Sequence, residues 1–224
     1  RPMATSRSNT AKKSITRDKL ISTYMEYVLE NETFPSTAYK FCKDVKLQEQ
    51  AFYNHFGSTS ALRDAIWTVF FDHTLELIHK AEGYEQMSNK DKMLTLYYTF
   101  FELLTANRSY ALFSLDHGKD QIDKMKQLKG LRSRLKEFAT GLIEEANDEK
   151  QLKILKHPAK IFAEGAWLQM VFILKYWKDD GSAGFEKTDM VIEKSVRAVF
   201  DVFETTPLES VVDFGKFLWK EHMN

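Results

Sequence analysis

Cysteine, proline and glycine are scarce in this chain, and each scarcity excludes a class of structure. The single cysteine among 224 residues, Cys42, cannot form an intramolecular disulfide, which fits a reducing cytoplasm. Four prolines and nine glycines leave long uninterrupted segments, and no segment alternates apolar and polar residues as a half-buried strand does. Because no run of about 18 apolar residues occurs, no membrane span is expected. The sequence predicts a cytoplasmic, all-α protein.

The chain also lacks net charge. Its 32 lysines and arginines balance 32 aspartates and glutamates, which argues against binding of polyanions through overall charge. The balance is uneven along the chain, because residues 1–66 hold ten basic and seven acidic side chains. The remaining residues carry the opposite excess. A positive excess at one end has the sign that a DNA-binding segment needs.

Motifs for catalysis and metal binding are missing as well. The six histidines form no HExxH or comparable ligand pair, and Cys42 has no histidine at a recognisable catalytic spacing. Neither a P-loop nor a dinucleotide-binding glycine motif is present. We therefore expect a protein that is not an enzyme and has no metal ion or other cofactor.

Apolar periodicity divides the chain into ten predicted helices. Apolar residues recur at spacings of three and four, and proline, glycine and capping residues mark most of the ends. The predicted segments are 16–30, 36–44, 48–55, 60–81, 88–104, 110–115, 119–146, 158–177, a helix after a linker at 178–184 whose apolar stripe covers 192–203, and 206–222. Segment 158–177 is apolar almost all round, so it needs partners on several sides.

The most informative stretch is residues 36–56, STAYKFCKDVKLQEQAFYNHF. It predicts a short helix, a turn at Lys46 and Leu47, and a second helix that ends in the string FYNHF. A helix-turn-helix binds DNA because its second helix fits the major groove, where polar side chains reach base edges, while its first helix lies across the backbone. The pattern favours a DNA-binding segment.

Residues 14–66 resemble the TetR family of one-component transcriptional regulators. In that family Thr-Ser opens the second helix, Leu-Tyr-x-His-Phe ends the third, and Ser-Lys-x-x-Leu opens the fourth. Here Ser36 and Thr37 match the first motif, FYNHF at 52–56 matches the second, and Ser58 with Leu62 matches the third. The order and spacing hold from residue 14 to residue 66 without a gap.

The resemblance implies three parts: a flexible basic arm at 1–13, a helix-turn-helix DNA-binding domain at 14–58, and a helical ligand-binding and dimerisation domain at 59–224. It also implies a homodimer, usually a repressor, which binds a pseudo-palindromic double-stranded DNA operator and a small apolar or amphipathic effector. The basic residues near the start are expected either to contact the minor groove and phosphates or to form a solvated tail. They are Arg7, Lys12, Lys13 and Arg17.

The resemblance assigns phosphate contacts to Thr37, Tyr53 and His55. Base edges are assigned to Gln48, Gln50 and Asn54, since amide side chains pair bidentately with adenine. The full predicted DNA-binding set is Ser36, Thr37, Lys46, Gln48, Gln50, Tyr53, Asn54 and His55. The alternative is that these are solvated polar residues of a small helical bundle, and packing explains Tyr53 nearly as well as a phosphate contact does.

Some positions depart from the family pattern. Lys46 replaces the usual turn glycine, which costs on the order of 1 kcal/mol if the backbone there is left-handed. Gln48 and Gln50 stand where a small polar residue and glycine are usual, and Thr59 replaces a lysine that would contact phosphate. Glu49 adds a negative charge near the phosphates, while Lys46 replaces some of the lost positive charge. These departures favour an alternative function, a TetR-fold protein that has lost DNA recognition and binds a lipid-like ligand. A third class, a structural helical interaction module, needs neither site.

In the rest of the chain the resemblance extends only to architecture. It implies an effector among the middle helices and a dimer formed through the last long helices. The predicted ligand-binding residues are Tyr97, Tyr98, Phe101, Tyr110, Phe113, His117, Trp167 and Met170, with Arg108 and Gln169 as further polar anchors. Each aromatic residue has core packing as its alternative. The predicted dimer interface is Phe172, Val196, Val199 and Phe203.

Overall fold

A computed structural model of the chain describes residues 14–118, 120–149, 159–205 and 208–222. All regular structure in these ranges is helical, which confirms the predicted all-α class. The α-helices are α1 (Arg17–Asn31), α2 (Ala38–Asp44), α3 (Glu49–Tyr53), α4 (Thr59–Lys80), α5 (Asn89–Ala106), α6 (Arg108–Asp116), α7 (Gln121–Lys126), α8 (Lys129–Glu149), α9 (Ala159–Asp179), α10 (Glu186–Thr205) and α11 (Leu208–His222). Single 3-10 turns, Tyr84–Gln86 and Ala183–Phe185, precede α5 and α10. None of the described helices is long and apolar enough to cross a membrane.

The chain divides into two compact units, residues 1–62 and residues 63–224. We call them the head and the body. The predicted basic arm at 1–13, with Arg7, Lys12 and Lys13, lies outside the described residues. In the described part of the head, α1, α2 and α3 precede the first turn of α4, and the helices of the body follow.

The head is built around the buried ring of Phe41 in α2. Tyr24 and Tyr27 of α1 contact this ring edge-on, with centroid separations of 5.3 and 5.4 Å. Phe52 of α3 lies 6.1 Å from it in a similar geometry. Aromatic side chains bury large apolar areas, and edge-to-face pairs add about 0.5–1.5 kcal/mol each. The ring therefore holds α3 on α1 and α2.

In the body, α9 packs on α8, α10 and α11, and α10 also packs on α5. These are the partners that the apolar segment 158–177 requires. Two of its polar side chains, Glu164 and Gln169, are bonded within the protein. Glu164 forms ion pairs with Arg132 at 3.1 Å and with Lys136, and Gln169 Nε2 donates to Ser195 Oγ at 2.9 Å.

The prediction of one continuous helix over 119–146 is wrong, because residues 127 and 128 separate α7 from α8. Gln127 is buried there, where its Nε2 donates to the carbonyl of Ser114 at 2.7 Å and its Oε1 accepts from Trp67 Nε1 at 3.1 Å. In the first turn of α8, the amide of Gly130 donates to Asp64 Oδ2 at 3.0 Å. Hydrogen bonds to residues far away in the sequence therefore set this boundary. The apolar periodicity of a helix does not predict such hydrogen bonds.

Asp180 fixes the start of α10. Its carboxylate accepts from the amide and hydroxyl of Ser182 at 2.8 and 2.6 Å, and from those of Thr188 at 3.0 and 2.7 Å. Burial raises the pKa of Asp180, but these four hydrogen bonds outweigh it and hold that pKa well below its usual range. The carboxylate thus caps a helix that begins at Glu186, just after the predicted linker at 178–184.

Candidate nucleic-acid interface

The turn between α2 and α3 has the left-handed backbone that its usual glycine would adopt. Lys46 has a φ of 58°. The amide of Leu47 donates to the carbonyl of Cys42 at 2.8 Å, and the amide of Lys46 donates to that of Lys43 at 3.3 Å. This pair of hydrogen bonds is a Schellman motif, whose geometry requires a left-handed residue at position 46. The departure from glycine is therefore a real source of strain, on the order of 1 kcal/mol.

Helix α3 presents polar side chains on the face opposite its buried Phe52. Gln50 Nε2 donates to Asn54 Oδ1 at 3.0 Å, so the two predicted base-contacting amides lie side by side. Gln48 is exposed at the N-terminal end, where its side chain makes no capping hydrogen bond. A paired amide still has a free donor and a free acceptor, which are the groups that adenine recognition uses.

Tyr53 lies on the same short helix with 48% of its surface exposed, so packing does not account for its whole side chain. Its hydroxyl donates weakly to Glu49 Oε1 at 3.4 Å. Partial burial raises the pKa of Tyr53, and the negative charge of Glu49 raises it further. The phenol therefore stays protonated and is a hydrogen-bond donor, the form that can contact a phosphate.

Thr37 has a defined structural role as the cap of α2. Its hydroxyl oxygen accepts from the amide of Lys40 at 3.0 Å, which satisfies one of the free amides at the helix start. The hydroxyl proton is still available, so capping and a phosphate contact are compatible. Ser36 precedes the cap and is exposed.

His55 is half-buried and fastens the end of the FYNHF string to the start of α1. Its Nε2 lies 2.9 Å from the carbonyl of Ile15, so this nitrogen carries the proton. In the neutral ring Nδ1 is then an acceptor, and it donates to a phosphate only when the ring is protonated. Arg17 lies 5.0 Å above the ring of Phe56, so a cationic residue at the start of α1 is held against the same string.

The exposed side of α2 carries two residues outside the predicted DNA-binding set. Tyr39 is exposed, and the ammonium of Lys43 lies 6.0 Å from its ring centroid. Lys40 is paired with Asp44 at 2.9 Å, and hydrogen bonds from Lys40 and Tyr27 hold the pKa of Asp44 below its usual range. Lys43 is not part of this ion pair, so its charge is available to a ligand. The i,i+4 spacing of Tyr39 and Lys43 is the sequence signal that predicts their contact.

Comparison with known proteins identifies the family. A model described as the C-terminal domain of tetracyclin repressor-like proteins matches residues 92–218, more than half of the 224 residues. The chain belongs to the TetR family. The match lies wholly in the body, so it is independent of the head residues that carry the resemblance. The family consists of transcriptional regulators, which bind DNA and dimerise.

The structure agrees with a TetR-family fold. It is similar to the crystal structure of a protein from Syntrophomonas wolfei str. Goettingen that is assigned to the TetR family of transcriptional regulators. The TM-score is 0.63, the sequences are 16% identical, and the match covers 82% of this chain and 94% of that chain. At this identity the similarity shows a shared fold. No curated protein matches the chain.

The eight residues predicted to bind a ligand in this TetR-family protein differ in burial. Five are buried in the body: Tyr97, Phe101, Tyr110, Trp167 and Met170. Tyr98 and Phe113 are half-buried, and His117 is exposed, with its ring stacked on Phe113 at 3.8 Å and its Nδ1 2.9 Å from the Phe113 carbonyl. Two cavities in the body, of about 530 and 380 Å³, contain none of the eight.

Two of the three predicted polar anchors, Arg108 and Gln169, are bonded to the protein itself. Arg108 donates to the carbonyls of Trp177 and Lys178 at 3.1 and 3.2 Å, at the C-terminal end of α9. Its guanidinium also lies 4.5 Å above the ring of Trp177 and 4.4 Å above that of Phe185. Gln169 bonds Ser195 of α10. Their polar groups therefore join helices of the body.

The predicted dimer residues do not all face the same way. Phe172 is 55% exposed and lies in an apolar stripe with Leu168, four residues before it, and Tyr176, four residues after it, on α9. Val199 is half-buried. Val196 and Phe203 are buried within their own chain, because their side of α10 packs inward, so they are core residues of the body. Helix α11 adds the exposed residues Phe214, Phe217, Leu218 and Trp219.

Proposed function

We propose that this TetR-family protein is a homodimeric repressor that binds a pseudo-palindromic operator through α3 and releases it when a small apolar or amphipathic effector binds the body. The observation that carries the proposal is the paired amides of Gln50 and Asn54 on the exposed face of α3. They stand on a short helix braced by aromatic packing, which is where sequence-specific base contacts are made in helix-turn-helix proteins.

The proposed mechanism depends on the dimer. Two recognition helices fit an operator when their half-sites lie about 34 Å apart, one turn of DNA. An effector that binds better when the two heads have a different separation shifts the population away from the DNA-bound form, by the difference in its affinity for the two forms. Regulation therefore needs no change within α3 itself.

The DNA-binding part is tested by selection of bound sequences from random duplex DNA at several salt concentrations. We expect an enriched pseudo-palindrome, and we expect Gln50→Ala with Asn54→Ala to lose about 1–3 kcal/mol of discrimination at the bases that the amides contact. The matched control is Glu76→Ala with Lys80→Ala, which removes an exposed i,i+4 pair from α4 and leaves DNA binding unchanged.

A second function is favoured by Glu49. It lies in the first turn of α3 beside Tyr53, where it repels phosphates, and Thr59 supplies no compensating cation. The alternative is a TetR-fold protein that binds a lipid-like ligand and no longer recognises DNA. If no sequence is enriched even at low salt, where phosphate contacts are strongest, this alternative replaces the repressor.

The proposed dimer interface is the exposed apolar surface of α9 and α11 that includes Phe172 and Trp219. Surfaces of this kind mark protein contacts in soluble proteins. Native mass spectrometry at micromolar concentration should give a dimer, and Phe172→Glu should give a monomer. Leu77→Glu places the same charge on an exposed apolar residue of α4 and should leave the dimer intact. A wild-type protein that is strictly monomeric would exclude this interface.

A further inference from the structure

The cavity of about 380 Å³ in the body is lined by none of the residues that were predicted to bind a ligand. It is bounded by the C-terminal part of α4, the 3-10 turn at Tyr84–Gln86, the first turn of α5 and the middle of α8. We call it the α4–α8 cavity. Its volume is in the lower part of the range found for small-molecule sites, roughly 300–1,000 Å³.

A buried ammonium group lines the α4–α8 cavity. Lys92 of α5 has only 4% of its surface exposed. Among the described residues its Nζ donates no hydrogen bond; it lies 4.0 Å from Glu145 Oε2 and 5.3 Å from the ring centroid of Tyr84. An ammonium group has three donors, and leaving buried donors without acceptors is costly. An oxyanion bound at this position would accept the hydrogen bonds that the ammonium group of Lys92 can donate.

The contact with Glu145 is suited to replacement. The separation of 4.0 Å is too long for a hydrogen bond. The side chain of Glu145 is 56% exposed on α8, so it can turn into water without loss of packing. A ligand carboxylate that takes its place keeps one negative charge beside Lys92 and adds the hydrogen bonds that Glu145 does not make.

The other charges at the cavity limit the ligand to one negative charge. Arg134 pairs with Asp72 at 3.5 Å, and His79 lies 4.0 Å from Glu85, so these two basic side chains have acidic partners. Glu85 and Glu137 also line the cavity, and they would repel a second negative charge.

The remaining wall suits an apolar chain. Leu75 of α4 and Phe138 and Leu142 of α8 line it, and Tyr84 contributes its ring. Gly141 of α8 also borders the cavity, and a Cβ added there would meet no heavy atom within 4 Å. The cavity therefore combines one buried cation, an apolar wall and open space beside Gly141.

We propose that the α4–α8 cavity binds a small amphiphile with a single carboxylate, whose oxygens accept hydrogen bonds from Lys92 in place of Glu145 and whose apolar chain lies against Leu75, Phe138 and Leu142. This site deepens the effector part of the proposed function, and it rests on that proposal only in calling the bound molecule an effector.

Isothermal titration calorimetry of the full chain with three eight-carbon probes tests the site. We expect octanoate to bind at least about tenfold more tightly than octan-1-ol, as a charge-assisted hydrogen bond implies, and octylammonium to bind least. Equal binding of octanoate and octanol, a preference for octylammonium, or no heat with octanoate at millimolar concentration would overturn the proposal.

Variants separate the carboxylate contact from the apolar wall. Lys92→Met should abolish the preference for octanoate over octanol, while Glu145→Gln should tighten octanoate binding at least about threefold because a competing carboxylate is removed. Gly141→Leu should block all three probes, and Gly165→Leu, a matched helical glycine of α9 with no heavy atom within 4 Å of its Cβ position, should not. Since Glu145 and Gly141 are exposed, their variants remain informative if Lys92→Met fails to fold.

These titrations contain no DNA. Failure of octanoate to bind would leave the DNA-binding part of the proposed function standing, and failure to find an operator would leave the α4–α8 cavity unaffected. Octanoate binding that Lys92→Met and Gly141→Leu do not change would place the carboxylate elsewhere and refute the assignment.

Discussion

Replacing Lys46 with glycine should stabilise the head and weaken DNA binding at the same time. Lys46 has a φ of 58° because the Schellman hydrogen bonds of Leu47 and Lys46 close the end of α2. A residue with a Cβ pays about 1 kcal/mol for this conformation, and glycine does not. Lys46→Gly should therefore raise the free energy of unfolding of the head by about 1 kcal/mol, roughly a fivefold change in its folding equilibrium.

The assay must report on the head alone. The four tryptophans, at positions 67, 167, 177 and 219, all belong to the body, so their fluorescence serves as an internal control. Native-state amide hydrogen exchange of the Leu47 amide, which donates to Cys42 at 2.8 Å, measures opening of the head. Its exchange should slow about fivefold in Lys46→Gly, while the tryptophan unfolding curve stays unchanged.

Two further variants separate backbone strain from charge. Lys46→Ala loses the same charge and keeps the strained Cβ, so its head stability should match the wild type. Lys43→Gly also loses a charge but puts glycine into helical backbone, which should cost about 1 kcal/mol. Both substitutions at position 46 should reduce the salt dependence of DNA binding by about one phosphate contact. Equal stability of Lys46→Gly and Lys46→Ala would refute the argument from left-handed strain.

Three predictions concern the body and are measured by urea unfolding followed through tryptophan fluorescence. Gly130→Ala should cost about 2 kcal/mol, because the new Cβ would lie 2.5 Å from Asp64 Oδ1 and displace the capping carboxylate, whereas Gly165→Ala should stabilise by about 0.5–1 kcal/mol. Asp180→Asn should cost about 2 kcal/mol at pH 7, because an amide nitrogen cannot accept hydrogen bonds. The pKa of Asp180 is depressed in the folded state. Its carboxylate therefore stabilises the protein above the unfolded pKa of about 3.9, and this stabilisation is lost as pH falls toward the folded pKa. Asp180→Asn should accordingly lose less stability in acid than the wild type, and an equal loss would contradict the assignment. Tyr97→Phe should cost about 1 kcal/mol by removing the hydrogen bond to the carbonyl of Ala166, and an unchanged unfolding curve would show that this hydroxyl is not buried.

Local patterns in the sequence were sufficient for the head. The periodicity of α1, the capping hydroxyl of Thr37 and the aromatic string FYNHF are all short-range signals, and the structure places Phe52 and Phe56 in the core as their spacing predicts. At Lys46 the sequence predicted strain only if the backbone there is left-handed, and the φ of 58° meets that condition.

The body was predictable only in part, because its decisive interactions join residues far apart in the chain. Periodicity alone made 119–146 one helix, but Gln127 bonds Trp67 and Ser114 and interrupts it. The predicted ligand-binding residues were chosen for aromatic content, and five of the eight are buried in the core. Lys92 was overlooked, although a charge four residues before the buried Leu96 was a visible signal.

The sequence by itself determined the all-α class, the family and the residues that α3 presents, because these depend on helical periodicity and on motifs within a few turns of chain. Tertiary structure alone decided where α7 ends, which apolar residues of α9 and α11 stay exposed, and that Lys92 is buried beside a cavity. Each of these depends on which distant groups meet, since a buried donor or carboxylate is satisfied by partners that spacing along the chain does not specify.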